Sequence, residues 1–343
     1  MSNHTAIAVD VAKTVFEVAV SDRPGHVSRR ERLQRHEFLP FLAQQAPATV
    51  VMEACGTAHY WGREIEKLGH RVTLLPPHQV RPYVRRNKTD RNDAKGILEA
   101  YRNEDIRRVP VKTVAQQALT SLHRLRAGWM GERTARLNAL RGLCRELGIF
   151  IPVGAQRVVP AVWAQIEDAD SLLPEATRGS FADACQEIRE IDARIKRIET
   201  QLEALAKELP AVDLLRTIPG LGLLTATAFV AFIGDPRRFP SGRHLASYLG
   251  LTPREFSSGL KRNLGRISKR GDGYLRTLLI HGARSVLSHT GTYRPDDFRE
   301  WAHKMWETHA HNKAAVAVAN KLARIIWAVW THGKPFEILR KAA

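Results

Sequence analysis

The sequence predicts an α/β domain built on a mixed sheet, followed by an all-α remainder. Three observations carry that expectation. Apolar runs near 5–11, 15–20, 49–52 and 71–75 are set apart by turn residues and by amphipathic stretches near 37–46 and 57–68, an alternation of strands and helices. From about 115 onward apolar residues recur at helical spacing instead. Beyond Pro210 the chain turns to apolar, basic segments punctuated by glycine, which marks a further boundary.

In order, the first hundred residues read strand, strand, strand, helix, strand, helix, strand, helix. Three consecutive strands joined by short turns form an antiparallel meander, whereas later strands reached across helices pair in parallel through crossovers. The first and fourth strands then become parallel neighbours, the order of an RNase H-like domain, assigned to 1–110. Between 115 and 150, Leu119, Leu122, Leu125, Trp129, Leu137, Leu140, Cys144 and Leu147 predict one long helix, broken near Pro152 and Gly154. Ile188, Ile191, Ile195, Ile198, Leu202, Leu205 and Leu209 then fall at alternating steps of three and four, a coiled-coil seam ending at Pro210. Such a seam pairs either with the 115–150 helix of its own chain or with another copy. The expectation is a 111–210 connector that assembles a homo-oligomer, a dimer or tetramer. A helical domain fills 211–343, and its last helix, near 312–332, spaces Val316, Leu322, Ile325, Ile326, Val329 and Trp330 for core packing.

Lys and Arg number 53 against 35 Asp and Glu among 343 residues, a formal charge of +18 that attracts polyanions, nucleic acid first among them. No stretch approaches the roughly 18 uninterrupted apolar residues of a spanning helix. Met1-Ser2-Asn3-His4 runs directly into a strand-like segment, so the expectation is a cytoplasmic, nucleoid-associated protein without a membrane partner. Cys55, Cys144 and Cys185 are far apart, odd in number and lack CxxC spacing, so neither a disulfide framework nor a zinc site is supported, and they read as buried small apolar residues.

Asp10 closes the first strand and Glu53 the fourth, so both acids are expected at one sheet edge. Adjacent anions repel unless a cation bridges them. Asp90 and Asp93 follow in Lys88-Thr89-Asp90-Arg91-Asn92-Asp93-Ala94, where Thr89 or Asp90 could cap a helix that carries both acids on one face. Oxygen-only ligands suit Mg²⁺ or Mn²⁺, and such ions activate phosphodiesters.

In the C-terminal part, Ile218-Pro219-Gly220-Leu221-Gly222 before an apolar helix matches a helix-hairpin-helix-like turn whose Gly220 and Gly222 can offer N–H groups to phosphate. The segments Tyr248-Leu249-Gly250-Leu251-Thr252-Pro253-Arg254-Glu255-Phe256-Ser257-Ser258-Gly259 and Gly265-Arg266-Ile267-Ser268-Lys269-Arg270-Gly271-Asp272-Gly273-Tyr274-Leu275-Arg276 place hydroxyls among cations. A serine beside glycine can approach a phosphate, and Arg254, Lys261, Arg262, Lys269, Arg270 and Arg276 can neutralise the charge that develops on attack. A loop that only touches phosphate has the same composition.

These motifs together, Val9-Asp10-Val11-Ala12-Lys13, Met52-Glu53-Ala54-Cys55-Gly56, the Asp90–Asp93 segment and the Pro253-to-Gly259 loop, resemble the signatures of the DEDD insertion-sequence transposases, over nearly the whole chain. The resemblance implies a RuvC-like N-terminal domain with Asp10, Glu53, Asp90 and Asp93 as the metal-binding tetrad. It implies Ser258 as the nucleophile of a 5′-phosphoserine intermediate, with the register against Ser257 open by one and Ser268 a weaker candidate. It further implies element-end and target DNA as substrates, a bridge RNA that selects them by base pairing, and half-sites joined from different protomers. The rivals are a RuvC-like nuclease with water as nucleophile, a non-enzymatic nucleic-acid scaffold, and a tyrosine recombinase using Tyr248 or Tyr274.

Overall fold

The computed structural model describes residues 5–23, 26–84, 90–259, 261–289 and 297–336, save the side chains of Asp90 and Arg91. The chain divides into two compact units, Met1–Ala115 and Gln116–Ala343.

The first unit is a mixed five-stranded sheet in the order β3-β2-β1-β4-β5, with β1 at Ala6–Val11, β2 at Val15–Ser21, β3 at Arg29–Gln34, β4 at Thr49–Glu53 and β5 at Arg71–Leu75. The meander β1-β2-β3 is antiparallel, whereas β4 pairs in parallel with both β1 and β5, as the order of elements predicts. The third strand, Arg-Arg-Glu-Arg-Leu-Gln, carries no apolar run. It is an edge, and its charges discourage pairing with another chain. Helices α1 (Phe38–Ala43) and α2 (Ala58–Lys67) cover one face, where Phe16, Phe38 and Trp61 meet edge to face with centroids 5.0–5.4 Å apart. After the short α3 (Pro77–Val80), helix α4 (Asp90–Tyr101) covers the other, burying Ala94, Ile97 and Leu98 against Ala8, Val51 and Leu75. Both faces are therefore buried, which explains why the central strands read as nearly continuous apolar runs.

The second unit opens with two long helices, α5 (Val114–Glu146) and α7 (Glu175–Ala206), with α6 (Ala155–Glu167) between them in sequence. Arg126–Glu199, Arg133–Asp192 and Arg136–Glu187 ion pairs run in opposite directions along α5 and α7, so the two lie antiparallel. Ile188, Ile191, Ile195, Ile198 and Leu202 are all buried within the chain. The seam expected to assemble copies is thus closed internally by α5, and it does not stand open for a partner. Leu119, Leu137, Leu140 and Cys144 of α5 share the cores that bury the seam, and a heptad read on one helix cannot show which helix supplies such partners.

Nor does 111–210 stand apart as a connector. One core runs from Leu119, Ile198 and Leu202 into the helices that follow: α8 (Pro210–Arg216), α9 (Leu223–Ile233), α10 (Gly242–Tyr248), α11 (Gly273–Ser288), α12 (Asp297–Thr308) and α13 (His311–His332). Helix α13 is long and apolar enough to cross a membrane by composition, but Val318, Leu322, Ala323 and Ile326 are buried in that core. Ile195→Lys should therefore act on stability. Placing an ammonium at a position 7% exposed costs about 3 kcal/mol, a melting temperature lower by about 10 °C for a unit of this size. A drop in oligomeric mass with unchanged melting would return the seam to an interface between copies.

Candidate active site

Side chains alternate along a strand, so Asp10 shares a face with Ala8, and Glu53 with Val51. Ala8 and Val51 lie in the core that α4 closes, which places both half-buried acids on the α4 side of the sheet. They leave adjacent parallel strands one step past the Val9–Met52 pair. Asp93 sits one turn before the buried Ile97 and faces the same side, with one carboxylate oxygen shielded from solvent. The Asp90 backbone begins α4, and its side chain, like Lys88 and Thr89, lies outside the described residues. The Cys55 thiol reports both strand-end acids: partial desolvation by its neighbours first, then the charge of Glu53 and that of Asp10, push its pKa above the usual thiol value.

Among the described residues no three His, Cys, Asp or Glu side chains are grouped closely enough to hold a metal ion as they stand. The donor set is all oxygen, and Asp10 and Glu53 both bear on one thiol, which fits a hard divalent cation. The sequence reading missed Glu17, which stands opposite Asp10 in β2 and pairs with Arg32 at 3.4 Å. Its signal was present in the alternation Val15-Phe16-Glu17-Val18, a charge on the face shared with Ala19. Cys144 and Cys185 are buried as expected, but Cys55 is exposed, because it lies in the turn that follows β4.

The serine loop is a β-hairpin of β6 (Pro253–Glu255) and β7 (Leu264–Ile267). Its root is fixed by two glycines. Gly250 (φ +71) and Gly271 (φ +95) come so close to the Arg270 and Tyr248 carbonyls that a Cβ would sit 2.1 Å and 1.9 Å from those oxygens. At the tip Ser258 and Lys261 exchange backbone hydrogen bonds of 3.3 and 3.1 Å. The three candidate serines separate here. Ser257 Oγ donates to Glu255 Oε1 at 2.7 Å and accepts from the Asn263 N–H at 3.1 Å. Ser268 is half-buried, and its Oγ accepts from the Arg270 N–H at 3.4 Å. Among the described residues no partner engages the exposed Ser258 hydroxyl.

Lys261, Arg262, Lys269 and Arg270 are exposed on or beside the hairpin, with Arg262 3.7 Å from Glu255. Arg254 donates to the Ser268 carbonyl at 3.4 Å and Arg276 to the Leu249 carbonyl at 3.0 Å, so Arg276 braces the root. Arg266 on β7 adds an exposed cation that the sequence reading left out. Gly220 (φ +81) has a packing reason of its own. A Cβ there would meet the Gly282 carbonyl at 2.6 Å, so α11 lies directly on the α8–α9 turn, while Gly222 has open space and precedes α9.

Residues 7–149 match a DEDD transposase family of the IS110 type, and residues 212–298 match the family described as Transposase IS116/IS110/IS902. A Pseudomonas aeruginosa protein named "Probable family 20 transposase" is 41% identical over 331 residues, 95% of this chain and 97% of its own length. The transposase for insertion sequence element IS1111A of Coxiella burnetii is 38% identical, covering 98% of this chain and 92% of the relative. That for IS1328 of Yersinia enterocolitica is 36% identical over 98% and 99%. The chain belongs to the IS110/IS116/IS902 transposase family. The two matched stretches of the transposase hold the carboxylate face and the serine hairpin respectively.

In the transposase both tyrosines considered as nucleophiles are half-buried. Tyr248 packs beside Phe239 with the Arg238 guanidinium over its ring, and burial raises the pKa of Tyr274, whose hydroxyl lies 2.9 Å from His123 Nδ1. His123 Nε2 lies 3.0 Å from Thr227 Oγ1, which itself donates to the Leu223 carbonyl at 2.7 Å. With that hydroxyl proton spent, Nε2–H donates to Thr227 and Nδ1 accepts from Tyr274, which defines the neutral tautomer. Burial, and then the Arg126 charge, lower the His123 pKa from 6.5 to about 4. Above pH 6.5 neither folded nor unfolded chain protonates this ring. Below it the unfolded chain takes a proton that the folded chain refuses, so stability falls until about pH 4, by about 3 kcal/mol in all. Thermal melts between pH 7 and 5 should show a shallower decline in His123→Gln than in the parent, and parallel slopes would reject this assignment.

Proposed function

We propose that the transposase breaks and rejoins DNA through a covalent serine intermediate. Ser258 Oγ attacks a backbone phosphorus, an Oγ–P bond forms and the P–O3′ bond breaks. The serine proton is lost to solvent and the departing 3′-oxygen leaves as a hydroxyl. A 3′-hydroxyl of another strand reverses the step, so the number of phosphodiester bonds is conserved. The observation that carries this reading is the exposed Ser258 hydroxyl at the hairpin tip, without a partner among the described residues, while the Ser257 hydroxyl is held by Glu255 and Asn263.

Lys261 and Arg262 beside it lower the cost of the charge that builds on the phosphate, and Arg254, Lys269, Arg270 and Arg266 hold the backbone on either side. Asp10, Glu53, Asp90 and Asp93 are the residues that would hold Mg²⁺ or Mn²⁺. Bound there, the cation supplies Lewis-acid stabilisation of the scissile phosphate. Glu17, opposite Asp10, is neutralised by Arg32, so the charge at that sheet end comes from Asp10 and Glu53. Gly222 and the α8–α9 turn bind phosphate without reading sequence. That division fits selection of DNA by a bridge RNA, in an assembly of several copies acting on chromosomal DNA in the cytosol.

Incubating the full chain with Mg²⁺ and a nicked suicide substrate, from which the cut strand diffuses away, should accumulate a protein–DNA species that survives denaturant. Cleavage without any such species would replace this reading with hydrolysis by water on the carboxylate face.

A further inference from the structure

A basic pocket of about 530 Å³ lies on the second unit, lined by none of the residues given a chemical role above but by Ser241, Gly242, Arg243, Lys321, Arg324 and Trp327 among others. Its construction begins with a close approach of two helices. A Cβ on Gly242 would lie 2.8 Å from the Arg324 Cα and 2.9 Å from its carbonyl oxygen, so α10 and α13 touch through backbone, and the side chains beside that junction flank an open recess. Arg243 and Arg324 are exposed and, among the described residues, neither has a carboxylate within ion-pair distance. Lys321 is half-buried with its ammonium 4.0 Å from the Trp301 ring centre. Burial, then the Arg324 charge, lower its pKa, while Asp297 opposes them. Three basic side chains thus line a recess whose wall is Ile325, Trp327 and Ala328, and Trp327 is fixed by a 2.9 Å hydrogen bond to the Phe239 carbonyl.

We propose that this pocket binds one phosphate and its attached nucleoside from single-stranded nucleic acid, the phosphate on Arg243, Arg324 and Lys321 and the nucleoside against Trp327 and Ile325. Cations beside an aromatic wall are the combination that single strands use, backbone to charge and base to ring. The place fits as well. Helix α10 has seven residues, about 10 Å of rise, with the pocket before it and the hairpin root after it. Asn320 Nδ2 donates to the Leu251 carbonyl at 3.2 Å, which pins α13 to that root beside Lys321. A strand held at the hairpin therefore meets the pocket within a few nucleotides. The inference rests on the reading that the serine hairpin acts on nucleic acid, but its test does not require cleavage.

Fluorescence anisotropy with short labelled oligothymidylate and oligouridylate, in metal-free buffer, reads binding alone. Arg243→Gln/Arg324→Gln should weaken binding of at least one probe about tenfold and flatten the salt dependence by about 0.7 for each phosphate that is no longer neutralised. The doubly substituted Arg145→Gln/Arg197→Gln, which removes the same charge from exposed positions elsewhere on the unit, should leave affinity within about twofold. Equal losses in the two variants, or no loss on either probe, would overturn the pocket. Failure to trap a serine adduct would instead overturn the hairpin mechanism and leave the binding result standing.

Discussion

Ser258→Ala should abolish the denaturant-stable protein–DNA species, while Ser257→Ala and Ser268→Ala retain it. The basis is chemical and local. A covalent intermediate conserves the energy of the phosphodiester bond, and without its oxygen no bond to phosphorus forms, so the effect is loss of adduct and not a partial decline. Ser257 contributes a different kind of interaction. Its hydroxyl ties Glu255 to the Asn263 backbone across the hairpin, so Ser257→Ala should loosen the tip and reduce the rate about tenfold, on the order of one hydrogen bond, without removing the adduct. Peptide mapping of the trapped species should place the phosphate between Leu251 and Arg262. An undiminished adduct in Ser258→Ala would put the nucleophile elsewhere.

Asp10→Ala should cost strand cleavage on the order of a thousandfold, the several kcal/mol that a metal-stabilised phosphate charge represents. Folding should be unharmed. Asp10 stands beside Glu53 at the ends of parallel strands, with Glu17 across from it paired to Arg32, so removing one of two neighbouring like charges relieves repulsion in the metal-free protein. The diagnostic pattern is therefore a melting temperature at or above the parent's, nucleic-acid binding within about twofold, and cleavage abolished. Retained cleavage would reject the carboxylate face as the catalytic one. Abolished cleavage together with a lowered melting temperature would make Asp10 a structural residue.

How much of this was legible in advance follows from which interactions are local. The strand order was readable because β1, β4 and β5 are buried on both faces, and Asp10 and Glu53 stood out as charges closing apolar runs. The edge strand β3 carried no such signal, since an edge beside solvent keeps its charges. Ser257 and Ser258 are equivalent by composition, and only the positions of Glu255 and Asn263 across the hairpin distinguish them.

By itself the sequence determined that this chain is a basic protein with an α/β sheet region followed by helices, with acids at two strand ends and a serine–glycine loop among cations, because periodicity, turn residues and charge act over a few neighbouring positions. Tertiary structure alone decided that the Ile188-to-Leu202 seam is spent within the chain, that Gly220 and Gly250 are glycines of close packing, and that Arg243, Lys321 and Arg324 share one recess. Those outcomes depend on which faces meet between residues tens of positions apart, and a side chain's local pattern specifies that it will be covered without specifying by what.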